Sequence, residues 1–535
     1  MALLLVLLVL LVLPAAAGAA TPLRLPESQL VPPPAYERSA RDVKGIASMA
    51  GKVVEARRDG PLRPTAYTRG PGRWQVSFFR DGRELVQVHV DDAAGTVVEQ
   101  WSGHQVSWRM ARGYDGAFGR KLNEPYIWIP LCLLFLVPFV DLRRPLRLLH
   151  FDLLVLLAFG ISHLYFNRGE IGMSVPLVYP VLGYLLVRVL FAGFRPRERV
   201  GPLVPHVSTA WLAIALVFLV AFRVGLNVTD SNVIDVGYAG VIGADRIADG
   251  DPLYGPNFSK DVQRGDTYGP AGYLLYMPFE QALPWSGSWD DLPAAHGAAV
   301  AFDLLAMAGL LLLGRMLRPA REGRVLGLAL AYAWAAYPYT AYALETNTND
   351  TLVALACIAA LLAWCRRSAL GAGLAVGLGA AAKFAPLILA PLFARRSPLL
   401  FGATLLAVVA LLFAPFIPDG GLSELYDRTV GYQAGRDSPF SVWGQVDSLG
   451  WLHTVLKVAA VGLAMLVGVL PRAPSPRAMA ALGAAVLIGL QLVAGHWFYL
   501  YVVWFTPFVL VVVMGALRPE PEPRAPEPER ALAAA

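Results

Sequence analysis

Charge and cysteine are what this sequence has little of. Only 16% of its 535 residues are Asp, Glu, Lys or Arg, against about 25% in soluble globular chains. A chain so poor in charge cannot wet the surface of an ordinary soluble enzyme of this size. The three cysteines, Cys132, Cys357 and Cys365, are widely spaced and lie in or beside apolar runs. They form neither a disulfide framework nor a metal-ligand pattern and read as small packing residues. A glycine-rich nucleotide cradle, a nucleophile elbow and a zinc motif are all missing, so a nucleotide-consuming transporter is not expected from this chain alone. The net charge of +6 reads as arginine of cytoplasmic loops, not as a basic binding face, so nucleic acid is not an expected partner.

What the sequence has in quantity is hydrocarbon. Hydrophobic residues make up 56% of it and its mean hydropathy is +0.51. Apolar runs recur at about the twenty residues a helix needs to cross a bilayer. They predict a polytopic α-helical membrane protein of about 13 transmembrane helices, near 126–141, 150–166, 173–193, 208–226, 294–316, 325–343, 350–365, 369–382, 384–394, 399–417, 451–470, 477–494 and 497–517. Arginines crowd one set of loops, among them Arg143, Arg144, Arg147, Arg195, Arg197, Arg199, Arg366, Arg367, Arg395, Arg396, Arg472 and Arg477. The other, longer set has only Arg168, Lys260, Arg264, Arg428 and Arg436. The positive-inside rule makes the first set cytoplasmic and places the outer loops at 227–293 and 418–450. Residues 271–283 are too short to span and read as an interfacial or re-entrant helix. Residues 369–394, bracketed by arginine pairs, must enter and return, with the turn near Lys383.

The N-terminus differs in kind. Residues 1–20 read as a signal peptide or anchor. Residues 21–122 are polar, with helical spacing over 40–56 and then three alternating runs at 74–78, 85–90 and 97–101, separated by hairpin turns. This predicts a small extracytoplasmic α+β domain that resembles a PepSY-type domain in its helix followed by a WQV…V-x-VD…V-x-E-x-W strand pattern. His89 and His104 read as surface residues. At the other end, the Pro/Glu-rich residues 518–535 read as a disordered cytoplasmic tail.

The chemistry is expected in the outer loops. Residues 227–270 form a polar interruption far longer than a connector requires, with Asp235 and Asp230 close to the outer end of the 208–226 span. Asp235 is the candidate base; Asp230 reads more readily as a solvated acid. Asp245, Asp249 and Asp251 read as acids of a surface helix and its ending turn. Tyr268, in Tyr268-Gly269-Pro270, leads into the interfacial helix. Asn347, Asn349 and Asp350 have planar groups that suit paired sugar hydroxyls. Lys383 needs an anion or an outlet to water, and Arg428 and Arg436 suit forked binding of phosphate. His496 is a candidate proton handler or hydroxyl-orienting residue.

In order, Asp235, Gly243-Ala244-Asp245, Asp249-Gly250-Asp251-Pro252-Leu253-Tyr254, Thr267-Tyr268-Gly269-Pro270, Ala336-Tyr337-Pro338, Asn349-Asp350 and Lys383-Phe384-Ala385-Pro386 resemble the C-type (GT-C) polyprenol-phosphate-sugar-dependent glycosyltransferases, and within them the mannosyltransferase-like family 87. The resemblance covers residues 208–517. It implies an inverting transfer of a hexose or pentose, mannose foremost, from a polyprenyl-phosphate donor to a lipid or glycan acceptor at the outer face of the plasma membrane. Asp235 would be catalytic; Asp230, Tyr268, Asn349, Asp350, Lys383, Arg428, Arg436 and His496 would bind substrate. No cofactor or metal ligand is indicated, and a divalent-cation requirement is left open. Two departures stand out: Tyr268-Gly269-Pro270 lacks a doubled proline, and residues 126–193 add three spans beside the PepSY-like domain. A flippase for a lipid-linked sugar and a non-catalytic envelope protein are the alternative readings.

Overall fold

The computed structural model describes residues 23–107, 109–113, 119–255, 258–259, 264–287, 292–436 and 438–518. The expected signal segment and all of the expected tail beyond Arg518 lie outside these. The described chain divides into two compact units, one made of residues from 23 to 113 with 161–175 and the other of most of the remainder.

In the first unit, Ser39 caps α1 (Ala40–Ser48) through a reciprocal box with Asp42, satisfying two otherwise orphan backbone donors. The helix expected over 40–56 breaks at Met49–Ala50, and α2 (Gly51–Ala56) continues it. Four antiparallel strands follow in sequence order: β1 (Arg63–Thr68), β2 (Arg73–Arg80), β3 (Arg83–Asp91) and β4 (Thr96–Ser102). Strand β1 was not among the three expected. It buries only Ala66, and a polar edge strand leaves no apolar alternation to read. Val43, Ala47 and Val53 pack on Trp74, Val76, Phe78, Val86, Val88 and Val90. His89 is not a surface residue as expected. It is 5% exposed and bonds Glu99 at 2.7 Å, because the second face of the sheet is also covered. Burial and the neighbouring Arg69 pull its pKa down to about 4. His104 is exposed.

The second unit is helical. Among the described residues, six helices are long and apolar enough to cross a membrane. They include α4 (Leu148–Asn167), α5 (Ile171–Phe194), α6 (Thr209–Asp230) and α8 (Pro293–Leu317), which follow the shorter apolar α3 (Pro125–Leu136). Between α6 and α8 lies α7 (Asp235–Asp249), ended by Gly250 in the left-handed conformation. Further on come α9 (Ala320–Ala336), α10 (Pro338–Glu345), α11 (Thr351–Cys365), α12 (Ala369–Ala382), α13 (Pro398–Phe413), α14 (Gly450–Val469), α15 (Pro476–Leu492) and α16 (Val502–Met514).

Two expected spans are not single helices. The 325–343 run breaks at Tyr337, which Pro338 forces into an extended conformation. Proline at 338 also leaves the Trp334 carbonyl without its helical donor. Arg223 of α6 fills the gap: its Nη1 donates to Trp334 (3.3 Å) and Ala335 (2.9 Å) carbonyls, and its Nη2 pairs with Asp303 at 2.6 Å. Arg223 is thus a buried staple, in keeping with the rule that broken backbone at membrane depth must be satisfied by protein. The 384–394 run is not one α-helix: a 3-10 segment (Ala385–Leu389) leads into a single α-helical turn (Ala390–Phe393), with Pro386 and Pro391 each in the first turn of its segment. The interfacial segment is also split, into Ala271–Leu274 and Met277–Ala282.

Candidate active site

Asp235 is the first residue of α7, and its carboxylate accepts a bond from the Val236 N–H at 2.9 Å. The strand of chain before it is stitched to the 345–350 loop. Asn232 N–H donates to the Glu345 carbonyl (3.1 Å), Ile234 N–H to the Thr346 carbonyl (2.9 Å), and Asn347 Nδ2 to the Asn232 carbonyl (2.9 Å). Asn227 completes the seam by donating to the Leu344 carbonyl and to Asn347 Oδ1. Gly237 permits this approach: a Cβ there would lie 2.2 Å from the Asn347 carbonyl oxygen. Asn347, expected as a sugar ligand, is therefore a structural clamp.

Asp235 is exposed at the N-terminus of α7. Desolvation raises its pKa above the ordinary carboxylate value, against the opposing pull of Arg436, its own backbone bond and Lys383. Tyr268 lies in the field of Asp235, Asp350 and Arg436; burial, then the two carboxylates, push its phenol up.

Lys383 ends α12, where a cation also favours the helix dipole. It is buried. Its Nζ pairs with Asp350 at 2.5 Å and donates to Asn349 Oδ1 at 3.0 Å, and the rings of Tyr268, Tyr501 and Trp504 surround it at 5.1–5.6 Å. Asp350 also accepts from Trp504 Nε1 (2.7 Å) and Thr348 Oγ1 (2.6 Å). The two are bonded to protein and form a buried charged pair. Trp504 was not singled out in the sequence. Its position three residues after Tyr501, on one helical face, was the available signal.

Of the outer-loop arginines, Arg428 is tied to Asp266 at 2.9 Å and Glu424 at 2.7 Å. It staples the 264–270 and 419–434 segments, reinforced by the Gln433 Nε2 bond to Thr267 Oγ1. Arg436 differs: its side chain is half-buried and makes no ion pair or hydrogen bond among the described residues. It stands in the electrostatic reach of Tyr501, Tyr268, Tyr432 and Asp235. His496 bonds the Ser438 hydroxyl at 2.8 Å, and burial, then Arg436 and Lys383, hold its pKa well below the usual value. Asp230 is not part of this group. It pairs with Lys121 at 3.3 Å and Arg120 at 4.0 Å. No cluster of three or more His, Cys, Asp or Glu that suits a metal occurs among the described residues.

Gly269 explains the missing second proline. A Cβ there would lie 2.1 Å from the Ala381 carbonyl oxygen, so the Tyr268 loop touches the last turn of α12, two residues before Lys383.

Asp235 and Arg436, with the rings of Tyr268, Tyr501 and Trp504 around Lys383, lie in one helical unit of a chain rich in apolar helices. Residues 267–525 match the model of glycosyltransferase family 87, so the family expected from the sequence holds over that stretch and the chain is read as a membrane glycosyltransferase. The matched stretch contains Tyr268, Asn349, Asp350, Lys383, Arg428, Arg436 and His496; Asp235 and Asp230 precede it. No curated protein matches the chain.

Proposed function

We propose that the protein transfers a sugar, mannose or another hexose or pentose, from a polyprenyl-phosphate carrier to a cell-envelope acceptor at the outer face of the plasma membrane, with inversion. Asp235 takes the proton of the acceptor hydroxyl. The acceptor oxygen bonds to the anomeric carbon as the bond from that carbon to the phosphate oxygen breaks. The polyprenyl phosphate leaves with the negative charge, which Arg436 stabilises. This division of labour follows from the chemistry: the acceptor needs a base, and an anionic leaving group needs a preorganised cation. Lys383 and Asp350 hold the floor of the site, and Tyr268 and Tyr501 form aromatic walls for the sugar or the first isoprene unit. Neutral His496 orients a hydroxyl.

The observation that supports the reading is an exposed carboxylate on a helix N-terminus within electrostatic reach of an arginine that has no ion-pair partner among the described residues. The test is mass spectrometry of envelope glycans and prenyl-phosphate sugars in cells with the protein, without it, and with Asp235→Asn. The expected result is loss of one glycan linkage and accumulation of its prenyl-phosphate sugar in both deficient strains. Unchanged glycans in the Asp235→Asn strain, with normal protein level, would refute the assignment. A donor that accumulates on the cytoplasmic leaflet alone would favour a flippase.

A further inference from the structure

The helical unit carries a polar cavity at the end away from Asp235. Tyr501 lies beside the site at the start of α16, and Ala516 lies just past its other end, about 22 Å on at 1.5 Å per residue. There, a cavity of about 240 Å³ is lined by Arg147, Arg188, Arg195, Arg197, Arg199 and Arg477. Its lining holds no carboxylate, and the rest of the wall is apolar, including Leu149, Phe191 and Leu517. A short parallel pair, β5 (Arg199–Val200) with β6 (Leu517–Arg518), clasps the rim.

Arginines at helix ends ordinarily serve orientation, and they spread into water. These converge. Arg147 and Arg188 are partly neutralised by Asp141 (3.3 Å) and Asp152 (3.0 Å). Arg477 donates to the Val512 carbonyl (2.9 Å) and the Arg197 carbonyl (2.8 Å), which fixes its guanidinium without cancelling its charge. Arg195, Arg197 and Arg199 have no carboxylate partner among the described residues; the nearby Glu198 pairs with Arg518 at 2.6 Å. Like charges gathered in one concavity demand an anion, and forked guanidiniums select phosphate oxygens. The apolar wall, with Phe191 62% exposed at the rim, asks for a hydrocarbon arm on the same ligand.

We propose that this cavity binds the phosphodiester headgroup of an anionic phospholipid, with its acyl chains along the Phe191 side of α5. Basic pockets between membrane helices bind such headgroups elsewhere by the same physics. The chain's own tail is a poorer match: residues 519–535 carry four Glu against two Arg and no long apolar arm.

The test is native mass spectrometry of the full-length protein in detergent, titrated with phosphatidylglycerol or phosphatidylcholine, for the wild type and the triple variant Arg195→Gln, Arg197→Gln, Arg199→Gln. The expected result is at least tenfold preference for phosphatidylglycerol, lost in the variant. If the variant fails to fold, a salt titration of the wild type replaces it, and phosphatidylglycerol retention should fall as ionic strength rises. Equal retention of the two lipids, or undiminished retention by a folded variant, overturns the proposal. So does binding of inorganic phosphate with no lipid binding, or lipid binding that arises only after residues 519–535 are removed.

Discussion

A carboxylate serves as a base only when ionised, so the environment of Asp235 sets the acid limit of the reaction. Its pKa is raised by desolvation. Transfer should therefore be constant at high pH and fall as pH drops through a value above the usual ~4 for an aspartate. A pH profile of kcat/KM in proteoliposomes checks this; a profile flat down to pH 4 would remove Asp235 from the base role. Arg436→Gln should cost about 100- to 1,000-fold in kcat, the range seen when one preorganised charge stabiliser is lost, with partial recovery in Arg436→Lys. Arg428→Gln should instead act through stability, because its partners are Asp266 and Glu424. Lys383→Met leaves Asp350 buried and unpaired, a cost of about 3–5 kcal/mol. Pairing it with Asp350→Asn should restore much of the melting temperature. Residue types and their order in the sequence were enough to nominate Asp235, Lys383, Arg428 and Arg436. They were not enough to separate those that hold the protein from those left without a partner among the described residues, because the separation lies in long-range partners: Asp350 for Lys383, Asp266 for Arg428, and none among the described residues for Arg436.

At the scale of elements, the backbone shows why the loops are where they are. Gly269 lets the Tyr268 loop rest against the end of α12, and Pro338 breaks a span so that Arg223 can enter it. Gly269→Ala would place a Cβ 2.1 Å from a carbonyl oxygen. Overpacking of this sort costs about 1–3 kcal/mol and here would also shift Tyr268 and Lys383. The variant should lower both the melting temperature and kcat, whereas Gly250→Asn, at a left-handed helix end with nothing within 4 Å, should leave kcat unchanged. Hydrophobic runs made the long helices legible. The breaks at Tyr337 and Pro386 were only partly so. Proline signals an interruption, but the freed carbonyls are satisfied only in part by near neighbours such as Thr340; Arg223, more than a hundred positions away, supplies the rest. Strand β1 escaped for a different reason: an edge strand that buries one alanine has no periodicity to detect.

At the scale of the whole molecule, function rests on which side of the membrane each end faces. Arginine-rich loops gather at one end of the helical unit, and the acid, the aromatics and Arg436 at the other. If the positive-inside assignment holds, the lipid-linked donor meets Asp235 outside the cell, where no nucleotide sugar is needed. Two exposed positions report on this: Ser423 in the 418–450 loop and Arg472 between α14 and α15. In a background without Cys132, Cys357 and Cys365, Ser423→Cys should react with a membrane-impermeant maleimide on intact cells, and Arg472→Cys only after permeabilisation. The reverse pattern would place Asp235 in the cytoplasm. The chemistry of an outer-leaflet acceptor would then have no access to it, however well the acid, the arginine and the aromatic walls are arranged.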